Sequence, residues 1–495
     1  MSFFKAYDMR GTFGVDFDLE TVYQVGKALP IVIQNANQAN HLNASLSAVG
    51  CPLSSHLRIL VGRDCRVTSE SVRDALVRGL TEAGAEVTDL GLCTTPMVYF
   101  FTAEDDFDGS VMITASHNPP SDNGLKVSMR GALPVGYANG LNEVEKAVLG
   151  NGEAESFPLQ DKVVNSIRSG KDSASPFLAR YVAWQRARAG DVSGFRFAVD
   201  CSNGMASLLV RELFPGAVVI NDTLDGRFPN HSPNPLKAEA REQIAALVRE
   251  KGLDCGVIFD GDADRCMFVD EKGDFVQPDY LIPVVAKATI GNGEAESFPL
   301  RDAADGRSGK DSASPLRVIH DVRTSRGAIE ALRRMGCEPL MVPVGHAFAK
   351  PILRESGAVC GGELAGHYYF REFHCCDSGV LAASRILGEI ARAKAEGMTF
   401  SEMMRPISGV YANSGELNFR VEDKDAAIAR VLAAARAKFP PETGRSEIDG
   451  IRVEFDEGWI NVRKSNTEPY LRLLVERRGD VDEWTSVLKD AINAG

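Results

Sequence analysis

The sequence predicts an α/β protein with three related domains and a smaller, different C-terminal domain. Three segments share one pattern: a short apolar run rich in β-branched residues, then Asp, then a polar turn and a helical pattern. The three aspartates are Asp64, Asp200 and Asp321. The apolar run is typical of a buried strand, and the polar turn can cap the following helix. Repetition of this unit predicts three related domains with mixed or mostly parallel sheets.

The chain from residue 405 onward does not follow this pattern. We predict strands at residues 414–422 and 448–463, and helices at residues 425–438 and 480–494. These elements predict a smaller α+β domain that closes the chain.

Two repeated strings interrupt the predicted domains. Residues 150–159 and 291–300 are identical, and residues 168–176 and 307–315 are identical as well. Because the strings are polar and rich in Gly and Ser, we interpret them as a duplicated insertion in disordered surface loops. The Asn- and Ser-rich residues 34–56 are interpreted as a further long loop. The predicted domains are 1–149, 177–290, 316–404 and 405–495, with inserted linkers at 150–176 and 291–315.

Length and charge limit the possible classes of protein. A chain of 495 residues exceeds the size of a single core, so several domains are expected. The formal net charge of −13 argues against nucleic acid or an anionic membrane as a partner. We find no signal peptide and no apolar run of membrane-spanning length, and we expect a cytoplasmic protein.

The ten cysteines form no CxxC pair. His374, Cys375 and Cys376 are consecutive, which suggests zinc only weakly because further ligands at the usual spacing are absent. An incidental cluster is the alternative, and scattered thiols fit a reducing compartment.

The first motif with chemical potential is Thr-Ala-Ser-His-Asn-Pro-Pro, which follows the apolar run at residues 110–113. It places Ser116 at the end of a predicted strand. Pro119 and Pro120 cannot continue the strand and fix the loop. Ser116 is therefore a candidate exposed nucleophile. An ordinary Ser- and Pro-containing turn is the alternative for a serine considered alone.

The second motif is Asp-Gly-Asp-Ala-Asp-Arg, and it follows the apolar run at residues 256–259. Its carboxylates, Asp260, Asp262 and Asp264, alternate along a loop and can converge on one hard cation. The spacing to Glu271 also matches an EF-hand loop. However, Arg265 stands where that loop requires glycine, and both flanks are predicted strands. We therefore predict Mg²⁺ in a loop between strands.

Two further motifs offer polar groups to a ligand. In Gly-Gly-Glu-Leu-Ala-Gly-His, Glu363 can accept two sugar hydroxyls and His367 can donate a hydrogen bond, although an ordinary Gly-rich turn is the alternative. A later segment combines a forked cation with hydroxyl and amide donors, which is typical of a phosphate site. Its residues are Arg463, Ser465, Asn466, Thr467 and, just beyond, Arg472. A polar turn is the alternative there.

The four motifs, in this order, resemble the α-D-phosphohexomutase superfamily, and within it the phosphomannomutase/phosphoglucomutase group. The resemblance covers nearly the whole chain apart from the proposed insertions. It implies three related α/β domains and a smaller fourth domain around a central cleft. It also implies that Ser116 is a phosphoserine with His117 beside it. Asp260, Asp262, Asp264 and a phosphoserine oxygen are the implied Mg²⁺ ligands.

The resemblance assigns roles to further residues. Arg10, Lys126 and Arg265 would surround the reacting phosphate, and Lys126 or His346 would transfer the proton. The implied substrate-binding residues are Tyr7, Arg323, Glu363, His367, Arg463, Ser465, Asn466, Thr467 and Arg472.

The implied reaction moves a phosphoryl group between O1 and O6 of a mannose or glucose phosphate, through a hexose 1,6-bisphosphate. Ala365 departs from the serine usual in this group, so one hydroxyl contact worth about 0.5–1.5 kcal/mol is lost. The alternatives are a phosphoglucosamine mutase, a non-catalytic sugar-phosphate-binding relative, and a phosphatase, which would not need a second phosphate site. We expect a monomer or a homodimer.

Overall fold

A computed structural model of the protein describes residues 3–44, 57–150, 168–169, 176–291, 315–465 and 469–494. The chain divides into two compact units. The first contains residues 1–275 and 373–384, and the second contains residues 276–372 and 385–495.

The elements fall into four groups along the chain. The first group is β1 (Met9–Thr12), α1 (Leu19–Ala44), β2 (Arg58–Arg63), α2 (Ser69–Glu82), β3 (Glu86–Leu92), α3 (Thr95–Glu104), β4 (Gly109–Ile113), β5 (Asp122–Met129), β6 (Leu133–Val135), α4 (Leu141–Leu149) and β7 (Arg168–Ser169). The second is α5 (Pro176–Arg186), β8 (Phe197–Asp200), α6 (Val210–Leu213), β9 (Val218–Ile220), α7 (Ala238–Lys251), β10 (Cys255–Phe259), β11 (Cys266–Val269), β12 (Phe275–Val276) and α8 (Ile282–Gly291).

The later groups complete the order of elements. The third is β13 (Arg317–Asp321), α9 (Arg326–Arg334), β14 (Glu338–Val342), α10 (His346–Ser356), β15 (Cys360–Gly362), β16 (Tyr368–Phe370), β17 (Cys376–Asp377), α11 (Gly379–Ala395) and α12 (Phe400–Ser408). The fourth is β18 (Tyr411–Asn413), β19 (Leu417–Phe419), α13 (Lys424–Lys438), β20 (Glu442–Ser446), β21 (Ile451–Phe455), β22 (Gly458–Lys464), β23 (Leu471–Arg478) and α14 (Asp482–Asn493).

The first three groups repeat one sheet topology. Their strands follow the orders β5-β4-β2-β3, β11-β10-β8-β9 and β16-β15-β13-β14. In each repeat, the first three strands in chain order are parallel. The fourth strand in chain order is antiparallel to the third. The prediction of three related α/β domains with mixed sheets is therefore confirmed.

Each repeat places an aspartate at the end of its central strand or directly after it. Asp64 accepts the backbone N–H of Arg66 at 3.0 Å, Asp200 that of Ser202 at 2.8 Å, and Asp321 that of Arg323 at 2.7 Å. Such a bond to the residue two positions on forms a local turn. The repeated Asp in the sequence is thus the residue that ends the strand and opens the connection to the next helix.

The prediction of a loop across residues 34–56 is wrong for its first part, because α1 continues to Ala44. The polar composition misled the prediction, since one of these side chains is buried and bonded. Asn37 donates from Nδ2 to the carbonyl of Asp108 at 2.8 Å and accepts the Arg130 N–H at Oδ1. These contacts and the packing of Ile33 in the core hold the helix on its sheet.

The C-terminal domain has the predicted α+β character and more strands than predicted. Helices α13 and α14 lie within a few residues of their predicted bounds. The segment predicted as one strand at 448–463 is the antiparallel pair β21 and β22, and β20 and β23 extend the sheet. The turn at residues 456–457 divides the segment that was predicted as a single strand.

The proposed insertions lie mostly outside the described residues. Within the first of them, β7 is a two-residue strand parallel to β3, which is an exception to the predicted loop. Across the ranges that the structure describes, no helix combines the length and the apolar character needed to cross a bilayer.

Candidate active site

Each of the four motifs lies between two neighbouring antiparallel strands. Three of them form the connection between the last parallel strand of a repeat and its antiparallel neighbour: β4 to β5, β10 to β11, and β15 to β16. The fourth lies between β22 and β23. Because these connections follow buried strands, their polar side chains are held by the sheets behind them.

Ser116 lies in a loop whose backbone is fixed from several sides. The residue has φ of +49°, a left-handed conformation that costs free energy in a residue other than glycine. The Thr114 hydroxyl accepts the Ser116 N–H at 2.8 Å. The loop is further held by the buried Arg66 guanidinium, which donates to the carbonyls of Ser116, Asn118, Pro119 and Asp122 at 2.6–2.9 Å.

Sequence reasoning missed Arg66. The available signal was the segment Gly-Arg-Asp-Cys-Arg, in which a second basic residue follows Asp64. Asp64 accepts from Arg66 Nε at 3.1 Å and orients the guanidinium toward the loop.

The loop of Ser116 directly contacts the loop that contains Asp260, Asp262 and Asp264, which we call the acidic loop. Ser116 Oγ donates to Asp260 Oδ2 at 2.9 Å, and Arg265 Nη2 donates to Ser116 Oγ at 3.4 Å. Arg265 also pairs with Asp260 at 2.8 Å. A Cβ atom at Gly261 would lie 2.5 Å from the Ser116 carbonyl oxygen, so only glycine permits this approach. The structure therefore brings the candidate nucleophile and the acidic motif together.

The three carboxylates of the acidic loop form a candidate cation site. Asp260, Asp262 and Asp264 are buried, and each offers an oxygen within 4.8 Å of the others. Asp262 Oδ1 is buried with no hydrogen-bond partner within the described part of the chain. Oxygen ligands of this kind suit Mg²⁺. The flanking β10 and β11 are strands, as predicted, so the EF-hand alternative is wrong.

Lys126 lies against the same carboxylates. Its Nζ donates to Asp262 Oδ2 and to Asp264 Oδ2, both at 2.7 Å. Burial alone would lower the pKa of Lys126, but Asp262 and Asp264 outweigh burial and raise the pKa. Lys126 is therefore an ammonium group here. Thr95, which sequence reasoning missed, donates to Asp262 Oδ2 at 2.6 Å.

His117 and Arg10 complete the surroundings of Ser116. His117 Nδ1 lies 3.3 Å from Ser116 Oγ. Burial, together with the charges of Arg265 and Arg10, holds the pKa of His117 well below its usual value, so its imidazole is neutral. Arg10 donates from Nη1 to Asn118 Oδ1 at 3.1 Å. Tyr7 is partly exposed two residues before β1.

In the second unit, the predicted sugar-binding residues Glu363 and His367 lie near His346, the candidate for proton transfer. Glu363 is buried, accepts the Gly345 N–H at 3.2 Å and accepts a hydrogen bond from the Tyr369 hydroxyl. Burial raises the pKa of Glu363. The rings of His346 and His367 have centroids 6.0 Å apart. The Glu363 carboxylate can accept hydrogen bonds from sugar hydroxyls, and the two imidazole rings can also bind them.

The predicted phosphate-binding arginines converge on a carboxylate that sequence reasoning missed. Glu416 accepts from Arg463 Nη2 at 2.7 Å and from Arg472 Nη1 at 2.9 Å, and Arg323 Nη1 lies 3.5 Å away. No motif marked Glu416, because its position depends on the pairing of β19 with β23. Ser465 donates its N–H to the Tyr470 carbonyl. Asn466 and Thr467 lie outside the described residues.

The residues of the zinc interpretation, His374, Cys375 and Cys376, make other contacts. His374 Nε2 lies 2.9 Å from Glu104 Oε1, and Cys376 Sγ donates to the Ala132 carbonyl. The candidate cation groups in the described ranges include neither Cys375 nor Cys376.

Comparison with known proteins gives matches along the whole chain. Three family models, described as Phosphoglucomutase/phosphomannomutase, alpha/beta/alpha domains I, II and III, match residues 1–154, 177–273 and 302–409. A fourth, described as Phosphoglucomutase/phosphomannomutase, C-terminal domain, matches residues 416–494.

Individual relatives agree with these matches. A curated protein of Salmonella montevideo named phosphomannomutase is 33% identical over 492 residues, which are 97% of this chain and 95% of that protein. One from Vibrio cholerae with the same name is 31% identical and covers 98% of both chains. A solved structure from Burkholderia thailandensis, described as a phosphoglucomutase/phosphomannomutase family protein, superimposes with a TM-score of 0.79 at 25% identity, covering 99% of this chain and 97% of its own.

Proposed function

Because the chain belongs to the phosphoglucomutase/phosphomannomutase family and is a phosphohexomutase, an isomerase, we propose that Ser116 carries the phosphoryl group it transfers. The reaction we assign is reversible transfer between O1 and O6 of a hexose phosphate. The observation that supports it most directly is the 2.9 Å contact between Ser116 Oγ and Asp260 inside the acidic cluster.

The proposed reaction has two transfers. First, the bond between Ser116 Oγ and phosphorus breaks while the free hydroxyl oxygen of hexose 1-phosphate bonds to phosphorus, giving a hexose 1,6-bisphosphate. The bisphosphate then turns, the bond between its O1 and phosphorus breaks while Ser116 Oγ bonds to that phosphorus, and hexose 6-phosphate is released. Each transfer moves one hydroxyl proton, for which Lys126 and His346 are our candidates. Lys126 is protonated between Asp262 and Asp264, so in this arrangement it can donate a proton but not accept one.

The charged groups around Ser116 fit the demands of phosphoryl transfer. Asp260, Asp262, Asp264 and a phosphate oxygen would hold Mg²⁺, which when bound acts as a Lewis acid on the transferring group. Arg265 lies close enough to Ser116 to offset further negative charge, and Arg10 bonds to Asn118, two residues beyond Ser116. Lys126 and Arg265 are each paired with carboxylates of the acidic loop, in a chain whose net charge is −13.

The remaining proposed contacts are with the distal phosphate and the sugar hydroxyls. We assign the distal phosphate to Arg323, Arg463 and Arg472, because forked guanidinium groups match phosphate oxygens. We assign the sugar hydroxyls to Glu363 and His367. Since curated relatives from several bacteria are named phosphomannomutase, mannose 1-phosphate is the proposed substrate. Glucosamine 1-phosphate is the second candidate, because the loss of a hydroxyl at Ala365 can shift the sugar preference.

The test of the phosphoserine is a Ser116→Ala variant. We expect no mutase turnover in a coupled assay with mannose 1-phosphate and a hexose 1,6-bisphosphate primer, and no phosphate on the variant by intact-mass measurement. The wild-type enzyme serves as the control and should carry one phosphate. Turnover retained by Ser116→Ala would remove the phosphoserine from the mechanism.

A parallel comparison of substrates tests the sugar assignment. Rates with mannose, glucose and glucosamine 1-phosphates should be measured on one preparation. A higher kcat/KM for glucosamine 1-phosphate would replace the mannose assignment and leave the transfer chemistry intact. The expected cytoplasmic location and monomeric or homodimeric state are part of this proposal.

A further inference from the structure

The Glu416 carboxylate lies where two arginines of the proposed phosphate site would meet a ligand. Its two oxygens are divided between them, with Oε1 accepting from Arg463 and Oε2 from Arg472. A third arginine, Arg323, approaches Oε1 at 3.5 Å. A carboxylate that receives forked donors from two sides makes the same kind of contact that a phosphate group would make there.

The sheet geometry explains why an anion is needed at this position. Arg463 on β22 and Arg472 on β23 are directly opposite each other in the antiparallel register. Like charges in such a pair repel, and burial strengthens the repulsion. Arg463 is only 2% exposed. Glu416 therefore holds two side chains together that would otherwise separate.

The charges near Glu416 are already balanced without a ligand. Arg323 pairs with Asp321 at 2.6 Å, and Asp449 lies 4.0 Å from Arg463. Burial alone would raise the pKa of Glu416, but the three guanidinium groups outweigh burial and hold the pKa at about 2. An entering phosphate must therefore compete with an ionised carboxylate.

We propose that Glu416 is a resident substitute for the substrate phosphate, which releases Arg463 and Arg472 when a phosphate dianion displaces it. This inference deepens the distal phosphate site of the proposed function and rests on it. The carboxylate keeps both arginines oriented in the empty site. The carboxylate also favours ligands of higher charge. A phosphate monoester carries about −1.5 to −2 charges and therefore competes with Glu416 better than a monoanion does.

The test is a Glu416→Gln variant, which keeps the size and acceptor oxygen of the side chain but removes its charge. Binding of inorganic phosphate is measured by titration calorimetry in buffer without Mg²⁺. We expect the dissociation constant of Glu416→Gln to fall at least fivefold relative to wild type. Selectivity for phosphate over chloride should fall as well.

Glu454→Gln is a matched control. Glu454 also lies between two arginines, since it accepts from Arg452 Nε at 2.6 Å and from Arg326 Nη2 at 2.5 Å. This control should leave phosphate affinity unchanged. In the double variant Glu416→Gln with Arg463→Ala, the gain in affinity should disappear, which locates the effect at this site.

Weaker or unchanged phosphate binding in Glu416→Gln would overturn the proposal, as would an equal gain in Glu454→Gln. If Glu416→Gln does not fold, Glu416→Asp is measured instead. The shorter carboxylate should also bind phosphate more tightly than wild type, and weaker binding would reject the idea. Because phosphate binding requires no turnover, failure of the mutase assignment and failure of this inference give different results.

Discussion

Ser116 combines an unfavourable backbone conformation with an unusually complete set of constraints. Its left-handed φ is maintained because Arg66 bonds four carbonyls of its loop and Gly261 allows the acidic loop to approach. Strain of this kind persists only where the surroundings over-determine it. At the residue scale, the site thus depends on supporting side chains as much as on the proposed catalytic ones.

Asp262 provides a prediction about metal binding. Replacement by Asn removes one of three clustered carboxylates, so Mg²⁺ should lose most of its affinity. For the wild type, the melting temperature should rise on addition of Mg²⁺, because a ligand that binds only the folded state stabilises it. For Asp262→Asn, that rise should be absent, and mutase activity should fall at least a hundredfold.

Asp270→Asn is the matched control for this measurement. Asp270 is also buried but lies beyond β11, where it accepts the N–H groups of Lys272 and Asp274. Its variant should keep the Mg²⁺-dependent rise. An undiminished rise in Asp262→Asn would exclude the acidic loop as the cation site.

His320 on β13 provides a prediction about pH. The side chain is 2% exposed, and burial lowers the pKa of the His320 imidazole to about 4, against 6.5 in an unfolded chain. The unfolded state therefore binds more protons between these values. The neutral imidazole of His320 stabilises the folded state above about pH 6.5, and this contribution is lost as the pH falls toward 4. The loss amounts to about 3 kcal/mol of unfolding free energy.

His320→Asn removes this titration while keeping a donor near the Asp321 carbonyl. Urea unfolding of both proteins at several pH values between 4 and 7.5 measures the effect. We expect the unfolding free energy of the variant to fall less steeply with decreasing pH. Equal slopes in both proteins would show that His320 does not titrate in this range.

At the scale of elements, α1 contains a buried polar side chain that bonds to residues outside the helix. Residues 34–44 contain Asn and Gln, which are weak evidence for a helix, yet they continue α1. The Asn37 side chain bonds to the Asp108 carbonyl and to the Arg130 N–H, so it joins the helix to the neighbouring strands.

Asn37→Ala should therefore destabilise the protein. It leaves the buried Asp108 carbonyl and the partly buried Arg130 N–H without this partner, at a cost of about 1–3 kcal/mol. Denaturant unfolding monitored by circular dichroism measures the loss. Asn35→Ala on the exposed face of the same helix is the control. It should be neutral or slightly stabilising, because Ala has the higher helix propensity. A similar loss in both variants would contradict the role of the Asn37 contacts.

At the scale of the whole molecule, the third and fourth predicted domains share a buried network within the second unit. Arg452 donates to the carbonyls of Val322 and Thr324 and stacks on Trp459 at 3.7 Å. Trp459 Nε1 donates to Glu476 at 2.7 Å, and the Arg326 N–H donates to the same oxygen. The two domains are therefore joined by buried polar groups that depend on one another.

Arg452→Met tests this connection. The change leaves two buried carbonyls unsatisfied and removes one partner of Glu454, so we expect a loss of about 3 kcal/mol. Scanning calorimetry should show a broadened or divided transition, because the domains no longer unfold together. Arg445→Met is the control. Its pair with Glu447 is exposed, and its effect should stay below about 0.5 kcal/mol. An unchanged single transition in Arg452→Met would contradict the coupling.

The sequence alone determined the repeated domains and the motifs that follow their strands. Apolar β-branched runs, the aspartates that end them and the composition of each loop are local properties, so Asp64, Asp200, Asp321, Ser116 and the acidic trio could be identified before any fold was known. The three repeats with one strand order and the contact between Ser116 and Asp260 agree with that analysis.

Only the tertiary structure decided which distant side chains support these motifs. The distant partners of Arg66, Thr95 and Glu416 cannot be identified from local sequence, because each bonds to a residue at least 47 positions away through strand pairing or loop contact. Within the helical residues 34–44, Asn37 likewise bonds to a partner, Asp108, that is 71 positions away. Local sequence specifies where a strand ends and what its loop offers, whereas long-range packing selects the partners that fix the geometry and charge of the site.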